Sequence, residues 1–294
     1  MFARTLAAAT AAAVRARGLT RHEVEIGPWR LRVWRGGRKG GEPWLLLHGM
    51  GATSVTFMPL LGTLLEDCEI VLPELSANGG TRGPRAAIGV ADGVDVMAEL
   101  ARREFGGRQA TVCGVSLGGW IAAKLGIAHP ERVARLVLVA AGGYKNQDWQ
   151  RIESMVRVET LADIKRMWQA LFVAPPWYLQ PARILLYFLY TTPTVRDVLA
   201  TVREEDAFDD ADLGRIAVPV GLIFGQGDTL FRPEVGEAMQ RALPRATLTV
   251  IAGAGHGLQW QKPHDFFAAV AAFRAAFPLR DDGAAAHHPA ATGG

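Results

Sequence analysis

The fold is decided by one stretch, Ala110-Thr-Val-Cys-Gly-Val-Ser-Leu-Gly-Gly-Trp-Ile-Ala-Ala-Lys124. Its first four residues form an apolar run without alternation, which is typical of a strand buried on both faces of a parallel sheet. The Gly-x-Ser-x-Gly pattern that follows turns the chain sharply from this strand into a helix-length segment. Such a turn holds Ser116 in a strained conformation at the sheet edge, with its hydroxyl exposed. We therefore predict that Ser116 is a nucleophile.

The same alternation of strand and helix repeats on both sides of this stretch. A hairpin of two alternating segments around Gly27-Pro28 comes first, and buried strands then alternate with helices. The other predicted strands are Trp44–Leu47, Ile70–Leu72, Val133–Val139, Val218–Phe224 and Ala246–Ile251, and the predicted helices are 55–66, 88–105, 117–128, 232–242 and 263–277. This order predicts an α/β protein with a doubly wound, mostly parallel sheet.

The predicted domain organisation is a core interrupted by a helical insertion. Residues 22–143 and 217–279 are expected to form the core, and residues 144–216, which are divided by prolines, a helical cap. Residues 1–21 are expected to form an Ala-rich helix and residues 280–294 a disordered tail. The middle of the cap is crowded with large apolar residues that form either its own core or the wall of an apolar pocket. From this region and the loop near the chain end, the predicted substrate contacts are Trp177, Leu186 and Leu258.

Composition limits the partners and the compartment. The chain of 294 residues has a formal charge of +3 from 32 basic and 29 acidic residues, and no long basic run that would indicate nucleic acid. Two cysteines are too few for a disulfide framework, which favours a reducing, cytoplasmic location. The alternative is export directed by the apolar stretch Leu6–Val14 behind Arg4. The sequence has no run of ~18 strongly apolar residues, so we predict no membrane-spanning helix.

A serine hydroxyl needs a base and a carboxylate before it can attack a carbonyl carbon. His256 lies in the glycine-rich loop Ala252-Gly-Ala-Gly-His-Gly257, directly after a predicted strand, and so at the same sheet edge as Ser116. Asp228 follows the preceding strand, where its alternative role is to cap the next helix. The chain order Ser, Asp, His is the one that this architecture uses. We predict Ser116, Asp228 and His256 as a catalytic triad.

Two backbone amides are predicted to stabilise the oxyanion. The amide of Leu117 lies at the start of the helix after the nucleophile, and that of Met50 lies in the loop after the strand Trp44–Leu47. In the same loop His48 is expected to support the backbone through a hydrogen bond. HExxH, CxxC and P-loop patterns are lacking, so we expect neither a metal nor a cofactor.

Four motifs in this order resemble the α/β-hydrolases, over about His22 to Phe277. They are His48-Gly-Met-Gly51, Gly114-Val-Ser-Leu-Gly-Gly119, Gly225-Gln-Gly-Asp228 and Gly255-His256. The resemblance implies the roles of oxyanion loop, nucleophile, acid and base for these segments. The stretch Leu171–Leu179 and the loop Asp228–Pro233 look most like bacterial lipases and esterases related to monoacylglycerol lipases.

The expected function is hydrolysis of a small-molecule carboxylic ester with an apolar acyl group, through an acyl-enzyme intermediate. The first alternative is a carbon–carbon bond hydrolase of aromatic ring-fission products, which the stretch His256–Trp260 resembles. Others are a non-catalytic small-molecule binding protein and a cofactor-free perhydrolase or haloperoxidase. The loop Leu72–Gly80 departs from the Asp-Leu-Pro-Gly-x-Gly pattern of many members, which leaves the choice of substrate open. The oligomeric state is open as well.

Overall fold

The computed structural model describes residues 11–145, 147–175, 177, 180 and 182–279. Within these ranges the strands are β1 (Thr20–Ile26), β2 (Trp29–Gly37), β3 (Glu42–Leu47), β4 (Cys68–Pro73), β5 (Ala110–Val115), β6 (Val133–Val139), β7 (Val220–Gly225) and β8 (Ala246–Ile251). The helices are α1 (residues 11–15), α2 (Met58–Leu64), α3 (Val90–Glu104), α4 (Leu117–Ala128), α5 (Trp149–Val156), α6 (Leu161–Leu171), α7 (Ala182–Tyr190), α8 (Pro193–Thr201), α9 (Asp210–Gly214), α10 (Pro233–Ala242), α11 (Leu258–Gln261) and α12 (Pro263–Ala276). The predicted tail lies outside the described residues, as do residues 1–10.

The strands form a single eight-stranded sheet in the order β1-β2-β4-β3-β5-β6-β7-β8 across the described chain. The pairs β1–β2 and β2–β4 are antiparallel, and every later pair is parallel. In the parallel part the register aligns the strand ends, for example Leu47 with Gly114 and Val115 with Val139. The predicted doubly wound, mostly parallel sheet is confirmed. Its consequence is that the loops after β3, β5, β7 and β8 meet at one edge.

Helices cover both faces of the sheet. The buried side chains of α3, α4 and α10 pack on one face, and those of α1, α2 and α12 pack on the other. Strands β3, β4, β5, β6 and β7 are almost entirely buried, which explains their unbroken apolar runs. Strand β8 forms the edge of the sheet, and most of its residues are partly or fully exposed.

The N-terminal segment differs from the prediction of a helix through residue 21. Helix α1 ends at residue 15, and β1 already begins at Thr20. The reason is Gly18, whose φ of +82° ends the helix in the left-handed conformation that glycine adopts without strain. Leu19 is then buried against the sheet. The strand begins at Thr20, two residues before residue 22, where the core was predicted to begin.

Helices α5 to α9 lie between β6 and β7, in the region predicted to be a cap. Helix α6 begins at a capping box in which Thr160 and Asp163 satisfy each other's backbone amides. In the described part of this region, an isolated parallel β-bridge joins Tyr144 to Phe208. The boundaries 144–216 of a separate cap remain a prediction. Among the described residues no helix is long and apolar enough to cross a bilayer.

Candidate active site

The turn after β5 holds Ser116 in a strained backbone conformation. Its φ is 56° and its ψ is −114°, values that a residue with a side chain rarely adopts. The turn is possible because of the glycines around it: a Cβ at Gly118 would collide with the carbonyl oxygen of Leu47, and one at Gly114 with that of Gly118. Helix α4 begins at the next residue, Leu117. The sequence pattern therefore builds the sharp strand-to-helix turn that lifts the hydroxyl out of the sheet.

Asp228 and His256 are hydrogen-bonded to each other at the same edge. The Asp228 Oδ2 accepts a hydrogen bond from His256 Nδ1 at 2.8 Å, and both side chains are buried. The other oxygen, Oδ1, accepts from the backbone amides of Leu230 at 2.8 Å and Phe231 at 2.9 Å. Because an ionised carboxylate can only accept, Nδ1 carries the proton and Nε2 keeps its lone pair. His256 is thus held in the tautomer that a general base requires.

Ser116 and His256 share the wall of one cavity. The Ser116 Oγ makes no hydrogen bond within the described residues, so its proton is not already committed to another acceptor. In the absence of substrate, the hydrogen bond between a nucleophile and its base is often long and tightens only in the complex. The three predicted residues, 112 and 28 positions apart along the chain, are thereby assembled at one edge of the sheet.

The amides of Met50 and Leu117 point to an oxyanion site. Neither donates a hydrogen bond in the part of the chain that the structure describes, and both residues line the cavity wall beside Ser116. The Gly49 carbonyl oxygen accepts from His48 Nδ1 at 2.9 Å and from the Ala52 amide at 3.2 Å. In a trans peptide the C=O and the N–H point in opposite directions, so holding the Gly49 carbonyl aims the Met50 N–H the other way. His48 supports this loop, and its Nε2 accepts from the Leu75 amide.

A buried carboxylate lies behind the same loop. Glu74, which lies in the loop Leu72–Gly80, accepts hydrogen bonds from Ser54 Oγ at 2.6 Å and Trp34 Nε1 at 3.0 Å. His48 Nε2 is 3.5 Å from its Oε2. Burial raises the pKa of Glu74, whereas the hydrogen bonds that its carboxylate accepts from Ser54 and Trp34 lower it, and the net shift is below the ordinary value. Glu74 is therefore an ionised anchor under the oxyanion loop.

Two cavities meet at Ser116 and Met50. The first, cavity A, measures about 150 Å³, and the second, cavity B, about 230 Å³. The main apolar side chains of cavity A are those of Leu117, Trp120, Trp149, Ile152, Val198, Leu199 and Phe231. Cavity B is lined by His256 and by apolar side chains that include Phe172, Leu186, Leu189, Tyr190 and Trp260. Within the described residues neither wall contains a lysine or an arginine.

The three predicted substrate contacts, Trp177, Leu186 and Leu258, lie in different positions relative to the two cavities. Leu186 lines cavity B. Leu258 does not line either cavity: it is fully buried in the core beneath α12, because the first turn of α11 directs it inward. Trp177 is 84% exposed and belongs to neither wall in the described chain. Of the three predicted contacts, only Leu186 therefore lies in the wall of a cavity beside Ser116 among the described residues.

Several cavity residues escape sequence reasoning. Trp120 and Trp149 lie on two different helices, and their rings meet at a centroid distance of 5.2 Å in the wall of cavity A. Phe231 lines the same cavity and packs its ring 5.4 Å from that of His256. Phe231 could have been predicted from its position three residues after Asp228, in a loop that the sequence already assigns to the site. The two tryptophans carry no comparable signal, since their meeting depends on how the helices pack.

Comparison with known proteins identifies one family. Residues 44–270 match the model of the alpha/beta hydrolase family. A pimeloyl-[acyl-carrier protein] methyl ester esterase of Nitrosomonas europaea is 27% identical over 240 residues, which cover 77% of this chain and 93% of that enzyme.

Two solved structures share the fold. A bacterial membrane phospholipase A superposes with a TM-score of 0.83 at 23% identity and covers 95% of this chain and 93% of its own. The 2-hydroxy-6-oxo-6-phenylhexa-2,4-dienoate hydrolase of Rhodococcus sp. strain RHA1 gives a TM-score of 0.74 at 19% identity, with 87% of this chain and 98% of that one covered. At these identities the likeness is one of fold alone.

Proposed function

The chain belongs to the alpha/beta hydrolase family, and on that premise we propose that it is a serine hydrolase that cleaves carboxylic esters with an apolar acyl group. One observation carries the proposal. The Asp228–His256 hydrogen bond fixes the imidazole in the wall of cavity B, to which the strained Ser116 also belongs. Ser116 is shared with cavity A, whose wall contains Met50 and Leu117 with their unused backbone amides. The named activities among the relatives, esterase and phospholipase, agree with this chemistry.

The reaction follows from these positions. The Ser116 Oγ attacks the ester carbonyl carbon while His256 Nε2 takes its proton, and Asp228 stabilises the resulting imidazolium. The negative charge on the former carbonyl oxygen is stabilised by the amides of Met50 and Leu117. His256 then returns the proton to the departing alcohol, which leaves an acyl-enzyme. His256 then deprotonates a water molecule that attacks the acyl carbon, and it returns this proton to Ser116 Oγ as the bond to the acyl group breaks and the acid leaves.

The two cavities have different roles in this proposal. His256 must protonate the leaving alcohol, and it lies in the wall of cavity B but not in that of cavity A. Cavity A contains both oxyanion amides and continues past them between apolar side chains. The acyl group therefore occupies cavity A and the alcohol occupies cavity B. An apolar cavity of about 150 Å³ accommodates a molecule about the size of benzene, so acyl groups of about six carbons should fit best.

The ring-fission alternative fits the cavities less well. Its substrates, of which the dienoate in the name of the Rhodococcus relative is one, carry a carboxylate. An anion buried in an apolar cavity needs a cationic or hydrogen-bonding partner. The described walls offer no lysine or arginine, the donors of cavity B include the uncharged Thr53, Thr56 and Gln259, and cavity A is lined by the acidic Glu153 and Glu204. The cavity chemistry thus favours a neutral ester.

A panel of substrates separates the proposals. The protein and its Ser116→Ala variant are assayed on p-nitrophenyl esters from acetate to dodecanoate and on a ring-fission product. We expect ester turnover with an optimum near hexanoate, and a loss of roughly six orders of magnitude in kcat in the variant. Turnover of the ring-fission product alone would establish the carbon–carbon hydrolase instead. Tight binding of apolar ligands with no turnover of any substrate would establish a binding protein.

A further inference from the structure

Tyr190 connects the inserted helices to the oxyanion loop. It is the last residue of α7, and its hydroxyl donates a hydrogen bond to the carbonyl oxygen of Met50 at 3.1 Å. Its ring lies against the next residue of that loop, where a Cβ on Gly51 would be 3.0 Å from the ring atom Cε2. Burial raises the pKa of Tyr190, so the hydroxyl keeps its proton and remains a donor.

The geometry of the loop makes this hydrogen bond relevant to catalysis. Two peptide planes meet at the Met50 Cα. One carries the Met50 N–H and is held at the Gly49 carbonyl by His48 and Ala52. The other carries the Met50 carbonyl and is held by Tyr190. With both planes fixed, neither dihedral angle of Met50 is free to rotate, and its N–H has one direction.

We propose that Tyr190 is a positioning residue for the oxyanion site, which it orders through the Met50 carbonyl from the side of the inserted helices. The proposal rests on the proposed function, because it assumes that the Met50 amide stabilises an oxyanion. Preorganised donors act on charge that develops in the transition state, so disorder in one of them lowers kcat more than it weakens substrate binding. Tyr190 touches neither the reacting atoms nor their protons in this role.

The test compares Tyr190→Phe with Tyr187→Phe. Both substitutions remove one phenol oxygen from α7, but Tyr187 lies outside the walls of both cavities and its hydroxyl makes no hydrogen bond within the described residues. For p-nitrophenyl hexanoate we expect Tyr190→Phe to lower kcat about 10-fold, less than the roughly 10²–10³-fold loss of a whole oxyanion donor, and to change KM less than about twofold. Tyr187→Phe should leave both constants near those of the unaltered protein.

A second measurement reports on the oxyanion directly. An alkyl trifluoromethyl ketone forms a tetrahedral adduct with the nucleophilic serine, and its negative oxygen occupies the oxyanion site. Its inhibition constant should rise in Tyr190→Phe by the same factor as kcat falls. A purely structural role would instead lower the thermal midpoint or raise KM. It would leave kcat and the inhibition constant of the ketone unchanged.

The outcomes are distinct. Equal kcat and equal inhibition constants for Tyr190→Phe and Tyr187→Phe, in a protein that hydrolyses the ester, would overturn the role of Tyr190 and leave the proposed function intact. If the unaltered protein hydrolyses no ester and binds no trifluoromethyl ketone, the proposed function fails, and the role of Tyr190 fails with it.

Discussion

At the scale of single residues, the Asp228 carboxylate decides which proton His256 can move. One of its oxygens binds the histidine, and the other is held by two backbone amides, so the carboxylate has no freedom to turn. The tautomer of His256 is thereby set by three hydrogen bonds to one side chain.

Asp228→Asn should lower kcat by about 10³–10⁴-fold with little change in stability. The amide group that replaces one oxygen donates to Nδ1, which forces the proton onto Nε2 and removes the base. The matched control is Asp95→Asn, which alters an aspartate that also binds a histidine, His129 Nε2 at 2.9 Å, but on the exposed surface. Steady-state kinetics on p-nitrophenyl hexanoate measures both. Comparable activity of the two variants would remove Asp228 from the mechanism.

Glu74 stabilises the fold through its charge. The pKa of Glu74 is lowered in the folded protein, so its contribution is present above the ordinary pKa near 4.5 and is lost as the pH falls through the lower folded value. We expect Glu74→Gln to cost about 2 kcal/mol at pH 7, because the amide group that replaces Oε2 is a donor and faces the backbone N–H of Ser54, which is another donor. The difference between variant and unaltered protein should shrink as the pH falls below about 4.5.

Urea unfolding at pH 7 and at pH 4 measures this effect. The control is Glu99→Gln on the surface, whose hydrogen bonds with Arg102 and Arg103 lower the pKa of Glu99 to about 2. Exposed ion pairs contribute little to stability, so this variant should unfold almost like the unaltered protein at pH 7. A Glu74→Gln variant with full stability at pH 7 would contradict an ionised anchor at this position.

At the scale of elements, helices α7 and α8 contribute side chains to different cavities. Leu186 of α7 lines cavity B, and Leu199 of α8 lines cavity A. The two leucines have the same side chain and lie in successive helices, so they form a matched pair for enlargement. Each substitution fills one cavity and leaves the other open.

Leu199→Trp should lower kcat/KM for p-nitrophenyl hexanoate by about 10-fold or more and change the value for the acetate little, since overfilling an apolar site costs about 1–3 kcal/mol. Leu186→Trp should instead discriminate between alcohols, and disfavour octyl hexanoate relative to ethyl hexanoate. A series of esters with either the acyl or the alcohol group varied measures both effects. The reverse pattern would exchange the roles of the two cavities.

The elements themselves are largely predictable from the sequence. Helix α4 and strands β6 and β8 have the predicted boundaries, because unbroken apolar runs and glycine turns are local signals. The predicted start of β1 is less accurate, because Gly18, in the left-handed conformation, ends α1 early. The directions of individual side chains were not predictable: the exposed Trp177, the buried Leu258 and the hydrogen bond of Tyr190 all depend on packing between distant segments.

At the scale of the whole molecule, the parallel sheet brings the site together. Loops that follow β3, β5, β7 and β8 supply Met50, Ser116, Asp228 and His256, and their parallel register ends these strands at one edge. The motif order predicts the triad for this reason, since each member lies in a loop that follows a strand of the parallel part of the sheet. The cavities, by contrast, are formed jointly by the sheet edge and the inserted helices.

The central claim is that Ser116 is a nucleophile activated by His256. A fluorophosphonate probe, which reacts with activated serines, is applied to the folded protein, and the labelled peptide is identified by mass spectrometry. We predict a single label on Ser116 that is lost in Ser116→Ala and greatly slowed in His256→Ala. A label on a different serine, or equal labelling of the folded protein and its His256→Ala variant, would contradict the account.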